Sequence, residues 1–221
     1  MGNTEMVAQE PKNEIVTEGV FSNIHNFKEL YDIGKMFASS TLVPAAYQNK
    51  AMDCTIAVDM ANRMGVSPMF VMQNLYIVKG KPSWSGQACM SMIKASSDFR
   101  DAKHVYVGDC GTDAWGCYVT ATRISNGEEV RGPLVTIAKA KAEKWYSKPD
   151  KYGNETSKWQ TMPELMLAYR AASFFARVHI PNSLMGCAVE GEVDDMSKQP
   201  LPTAPDPFEE EIKREAKEIF K

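Results

Sequence analysis

The chain has 221 residues, 44% hydrophobic and 10% aromatic, which suits one core of roughly 150–180 residues plus tails. It has no apolar run of about 18 residues or more, and it opens on a polar, acidic stretch where a secretory leader would be basic and then apolar. Five cysteines (Cys54, Cys89, Cys110, Cys117, Cys187) without a C-x-x-C pair speak against a zinc ribbon or a secreted disulfide framework. The expectation is a soluble cytoplasmic protein with no membrane partner, whose thiols are reduced and mostly buried. The net charge of −3 is unevenly spread: −3 over residues 1–20, −5 over 190–221, and +5 over the mildly basic stretch between.

Residues 1–20 lack periodicity and read as a disordered acidic arm. A first helix is predicted from Asn26, capped with Glu29 three residues on, through FKELYDIGKMFASS. A second is predicted over 46–64, ended by Gly65, and Ser67-Pro68 starts a short third over MFVMQN. The period then changes: LYIVKG reads as a strand, GKP as a turn, SW as a return strand, and SGQACMSMIKASS as a helix capped by Ser85. HVYVGD, WGCYVTATRI and EEVRGPLVTI alternate as strands of an antiparallel meander, with a hairpin turn at Ser125-Asn126-Gly127. A short helix over 137–145 and a polar basic loop follow. Thr161 and Glu164 then suggest a capping box for ELMLAYRAASFFARV, which ends before Pro181. The predicted domains are the arm (1–20), one core (21–190), and a flexible acidic tail (191–221) made of a Pro-rich linker and an amphipathic helix. The fold class is α+β, a central antiparallel β-meander and hairpin sheet packed with helices.

The segment VKGKPSWSGQ raises the possibility of a nucleotide-binding loop. That reading fails, because the required first glycine is Leu75 and the required Ser or Thr is Pro82. Three scattered histidines and the pairs Asp194-Asp195 and Glu128-Glu129 show no catalytic or ligand spacing, so no catalytic site and no resident metal or cofactor is expected.

Bases mixed with aromatics are more informative. Between Lys139 and Arg177 stand eight bases and four acids, with Trp145, Tyr146, Tyr152 and Trp159 among them. Lysines and arginines release counterions from a phosphate backbone, and aromatic faces stack on bases, so single-stranded nucleic acid fits this composition. Lys139, Lys141 and Lys144 are candidates on that ground; a solvated lysine-rich loop over core aromatics is the other reading. Arg170 and Arg177, seven residues apart, share a stripe of a helix that is otherwise apolar or small. Each must pair with a carboxylate, reach water along its stem, or face a groove that receives phosphate. Lys79, Lys81, Ser83 and Trp84 either form one wall of such a groove or make a hairpin packed by Trp84 with its lysines in solvent.

The run MGVSPMFVMQNLYIVKGKPSWSGQ, together with KWQTMPELMLAYRAASFFARV, resembles the RecT family of phage and prophage recombination proteins, which includes the Bet (Red-beta) group. The similarity spans roughly residues 40–190. The resemblance implies ATP-independent binding of single-stranded DNA, annealing of complementary strands, and homo-oligomers in the form of rings or filaments. It also implies a bacterial host cytoplasm, a phage exonuclease and a host single-strand binding protein as partners, and in some members a benefit from Mg2+ with DNA. Carried over by position, Lys79, Lys81, Ser83, Trp84, Arg170 and Arg177 are its DNA-binding candidates; Lys139, Lys141 and Lys144 rest on composition alone. A single-strand binder that does not anneal, and an enzyme using Lys79 and Lys81 as phosphate clamps, are the competing expectations.

Overall fold

In the computed structural model, residues 23–189 and Glu192 are described; the expected arm and, Glu192 apart, the expected acidic tail lie outside them. The chain enters through two mutually packed helices, α1 (Ile24–Ala38) and α2 (Ala51–Met64). Asn23, not Asn26, caps α1, its carboxamide oxygen accepting a bond from the His25 N–H at 2.8 Å. α2 starts later than its pattern suggested, because residues 41–50 form turns that bury Val43 and Tyr47. Its end is as expected, with Gly65 left-handed at φ 65°.

Helix α3 (Pro68–Asn74), capped by Ser67, runs directly into strand β1 (Leu75–Val78). Strand β2 (Lys81–Trp84) returns antiparallel, so the return strand is longer than the two residues expected. Lys79 and Gly80 alone make the turn, both at positive φ (49° and 78°), as a two-residue hairpin of this hand requires. Helix α4 (Gly86–Ala95) follows, with the Ser85 hydroxyl accepting from the Ala88 N–H as expected.

The antiparallel meander is present. β3 (Phe99–Val107) lines one side of β4 (Gly116–Arg123) along its whole length. EEVRGPLVTI is not one strand: β5 (Glu129–Arg131) and β6 (Val135–Thr136) pair successively with the other side of β4. Pro133, without an N–H for the ladder, stands in the gap. Next come α5 (Ile137–Ala142), shorter than predicted, a long loop, α6 (Lys158–Thr161) and α7 (Pro163–His179). The expected capping box does not form. The Met162 N–H donates to the Lys158 carbonyl at 2.7 Å, so Thr161 is still inside α6 and Pro163 alone supplies the break. After a 3-10 turn (Pro181–Leu184), β7 (Ala188–Val189) pairs in parallel with β2. The α+β class thus holds, with the strands split between the meander and a small sheet in the order β1-β2-β7.

Two layers meet on α7. One side packs on the meander, where the Phe175 and Phe99 rings meet edge to face at 5.6 Å. The other side packs on α4, and the approach is close: a Cβ on Gly86 would lie 2.5 Å from the Tyr169 Cβ. Leu167, Ala168, Ala171, Ala172, Phe175 and Ala176 are buried, the alanines allowing both layers to come near. Between the two layers runs a stripe of Met166, Arg170, Ser173, Phe174 and Arg177, at helical i, i+3, i+4 and i+7 spacing; Arg170 and Ser173 are themselves buried and the other three partly so.

Candidate nucleic-acid interface

Arg177 stands at the end of that stripe nearest the hairpin. Its Nη2 donates to the Cys187 carbonyl at 3.1 Å and to the Glu192 carboxylate, while its buried Nε meets no partner among the described residues. Glu192 Oε2 also accepts from the Val189 N–H at 3.1 Å. A cleft of about 470 Å³ opens here, lined by Lys81, Pro82, Arg177, Gly186, Ala188 and Glu192. Lys81 is half-buried and Lys79 is exposed on the turn beyond it. The structure therefore brings Lys81 and Arg177 together across about 96 residues of chain.

Ser83 and Trp84 are corrected. Ser83 is buried, with its hydroxyl facing no hydrogen-bond partner among the described residues. Trp84 is fully buried, its indole N–H donates to the Leu184 carbonyl at 3.1 Å, and its ring lies 6.4 Å from that of Phe70. Neither residue offers a surface to a ligand; Trp84 is a core residue that ties the hairpin to the turn after α7. The hairpin reading of this segment, packed by Trp84, is the one realised.

Seven residues before Arg177, about 10.5 Å along the helix, Arg170 is buried and its guanidinium stacks on the Trp145 ring at 3.8 Å. Trp145 in turn packs on Trp159 and Phe174, with ring centroids 5.9 and 6.3 Å away. Arg170 is thus under an aromatic lid. Lys139, exposed on α5, extends over the Phe174 ring at 5.9 Å while donating to the Leu134 carbonyl. Lys141 donates to Asp113 at 2.5 Å and lies 5.1 Å from the Tyr146 ring. Asp113 raises its ammonium pKa above the ordinary value by that hydrogen bond. Lys144 is exposed, in a left-handed conformation just past α5.

The loop after α5 binds its acids to its own backbone and side-chain donors and leaves its lysines exposed. Asp150 accepts from the backbone N–H groups of Tyr152 and Asn154, at 2.8 and 2.9 Å. Glu155 accepts from the Ser147 hydroxyl, the Lys148 and Ser157 N–H groups, and the Gln160 amide. The Asn154 bonds hold the Asp150 carboxyl below its ordinary pKa, and the Ser147 hydroxyl leads the bonds that do the same for Glu155. Lys148, Lys151 and Lys158 are exposed, and Tyr152, 77% exposed, lies 4.8 Å from the Lys151 ammonium. Both carboxylates are held ionised by the loop's own uncharged donors, which leaves the loop lysines without ion-pair partners within the loop.

Sequence reasoning chose Lys139, Lys141 and Lys144 from this region but not Lys148, Lys151 and Lys158, because only the hydrogen-bond pattern distinguishes engaged from outward charges. It also missed Glu192, which reaches Arg177 and is held by the Val189 N–H, through pairing that leaves no local signal. A second, mostly apolar cleft of about 520 Å³ lies between α2, α4 and the 3-10 turn; Arg63 on its rim is paired with Asp59 at 2.8 Å. Among the described residues no group of three or more His, Cys, Asp or Glu gathers as metal ligands, and no helix is long and apolar enough to cross a membrane. Comparison of the chain with family models, with curated proteins and with solved structures finds no match.

Proposed function

We propose that this chain binds single-stranded DNA along the side of α7 that ends at the Arg177 cleft and over the exposed lysines beside it, and anneals complementary strands without nucleotide hydrolysis, as a RecT-like recombination protein. The observation that carries the reading is the gathering of Lys81 and Arg177 at one end of this stripe and Lys139, Arg170 and Trp145 at the other. The outward lysines and Tyr152 of the 146–160 loop extend that surface. Trp145 Nε1 and Arg177 Nε, buried and without a hydrogen-bond partner among the described residues, belong to residues on or beside the stripe. Buried polar groups are nearly always paired, so these two atoms suit a surface completed by a ligand.

Annealing asks for a strand held by its backbone with its bases open to a complement; base pairing supplies the specificity. Cations along the stripe serve the first requirement. With Trp84 in the core and Trp145 under Arg170, stacking is left to Tyr146 and Tyr152 at the edge, which leaves most bases free to pair. Neighbouring subunits of a ring or filament would continue the surface and keep the strand extended. A phage exonuclease would supply the strand in the bacterial cytoplasm, a host single-strand binding protein would hand it over, and Mg2+ would act with the DNA.

The test mixes complementary oligonucleotides with the protein, without nucleotide, and follows duplex formation against a protein-free control. Acceleration supports annealing; strand binding without acceleration leaves a protective single-strand binder; absence of strand binding removes both.

A further inference from the structure

We propose that the Arg177 pocket is a phosphate site of the DNA-binding surface that the chain's own Glu192 occupies, so that a strand must displace Glu192 to bind there. The inference rests on the DNA-binding reading and specifies how that surface is regulated. Glu192 places one carboxylate oxygen between two donors, Arg177 Nη2 and the Val189 N–H, with Lys81 on the rim of the same cleft. A guanidinium and a backbone N–H meeting on one oxygen, with a lysine on the rim of the cleft, suit a phosphodiester as well as a carboxylate. Glu192 bonds one edge of the guanidinium through Nη2. Arg177 Nε is buried with no partner among the described residues, and a phosphodiester, with two non-bridging oxygens, would take both Nε and Nη2 as a fork.

The occupant is suited to leave. The side chains of Arg177 and Glu192 are 35% and 31% exposed, so water screens the pair and its net strength is modest. Glu192 also belongs to the stretch 190–221, which carries ten acids against five bases, so its sequence neighbours share the charge that an entering strand repels. The consequence is competition: weak or short ligands meet a closed site, and a long strand, held elsewhere by the loop lysines, opens it.

The experiment measures anisotropy of a labelled oligothymidylate with the full chain across a salt series. Four forms are compared: wild type, Glu192→Gln, Arg177→Lys, and the double variant. A fifth, Asp194→Asn/Asp195→Asn, removes the same kind of charge two and three residues further along the chain. Glu192→Gln is expected to tighten binding about threefold to fivefold, the scale of a partly exposed ion pair, and to steepen the salt slope by about 0.7, one phosphate contact on a single strand. The gain should shrink in the Arg177→Lys background, which keeps the charge but not the fork, and should be absent in the Asp194/Asp195 variant. Equal affinity and slope for wild type and Glu192→Gln would overturn the inference and leave the DNA-binding reading standing. An equal gain from the Asp194/Asp195 variant would overturn it too, by assigning the effect to general charge. Absence of strand binding by every form would remove the DNA-binding reading itself.

Discussion

Replacing Trp84 by Phe separates a residue that stacks on a strand from one that holds the hairpin. The structure gives the indole no exposed surface and one buried hydrogen bond, to the Leu184 carbonyl at 3.1 Å. Phe removes the donor, while the Leu184 carbonyl keeps the Cys187 N–H at 2.9 Å, so the lost hydrogen bond costs about 0.5–1.5 kcal/mol. It also leaves a cavity of roughly 40 Å³, worth about 1 kcal/mol at some 24 cal/mol per Å³ if the site does not collapse. The expected loss is about 1.5–2.5 kcal/mol, read as a lower urea midpoint by far-UV circular dichroism with an unchanged slope. Oligothymidylate affinity of the folded variant, measured by anisotropy well below the unfolding midpoint, should fall by no more than about twofold from wild type, as expected of a residue outside the contact surface. A variant as stable as wild type that binds the strand more weakly would place the ring on the DNA and refute the core assignment.

Gly86→Ala would put a Cβ 2.5 Å from the Tyr169 Cβ and 2.6 Å from its carbonyl oxygen, so α4 and α7 must part; a loss of about 1–3 kcal/mol is expected, seen as a lower melting temperature, and wild-type melting would refute that contact. Of the five thiols, Cys110 alone is exposed, and burial pushes Cys117 up to about 11; one equivalent should therefore react quickly with a disulfide reagent in native protein and four only after unfolding. The triple change of Lys148, Lys151 and Lys158 to Ala should flatten the salt dependence of strand binding by about 2 units of slope, or about 0.7 for each lost phosphate contact; an unchanged slope excludes the loop from the interface. Asp150 and Glu155 have folded pKa values below their ordinary ones, so their contribution is complete above the ordinary carboxylate range and is lost as pH falls through the depressed values. Fluorescence of Trp145 and Trp159 should accordingly hold down through the ordinary range and change only below it; a change centred at or above that range would show the loop carboxylates to be unengaged.

Legibility in the sequence followed the range of the interactions involved. Ser67, Gly65 and Ser85 act on N–H or carbonyl groups within four residues, and all three were readable as caps. The Asn26 cap and the Thr161 capping box had equally good local patterns and did not form. Asn23 starts α1 a turn earlier, and α6 continues through Thr161 on the Lys158–Met162 bond. In both cases a neighbouring turn of helix claimed the backbone group that the predicted cap would have used. The stripe of Arg170 and Arg177 was legible because helical period needs no tertiary information. Their partners were not: Trp145 reaches Arg170 across 25 residues of sequence, and Glu192 returns 15 residues to Arg177.

One distant contact accounts for both the lost base-stacking residue and the guarded arginine. After α7 the chain turns back at Pro181–Leu184 and lays β7 beside β2, pairing Ser83 with Ala188 and Trp84 with Val189. That return covers Trp84 and supplies its carbonyl partner 100 residues away. The same segment brings the Cys187 carbonyl and Glu192 onto Arg177, with the Val189 N–H donating to that Glu192 carboxylate. The hairpin wall and the arginine end of the candidate groove are therefore built by one closing segment. Its two-residue strand makes few ladder bonds, so its hold depends on Trp84 and Leu184, both buried, more than on the backbone. A substitution that loosens Trp84 should then also loosen the Glu192 contact, linking the stability of the hairpin to access at Arg177. The stripe near Arg170 is held separately, by Trp145 and Trp159 from the other side, and so keeps its geometry when the hairpin end opens.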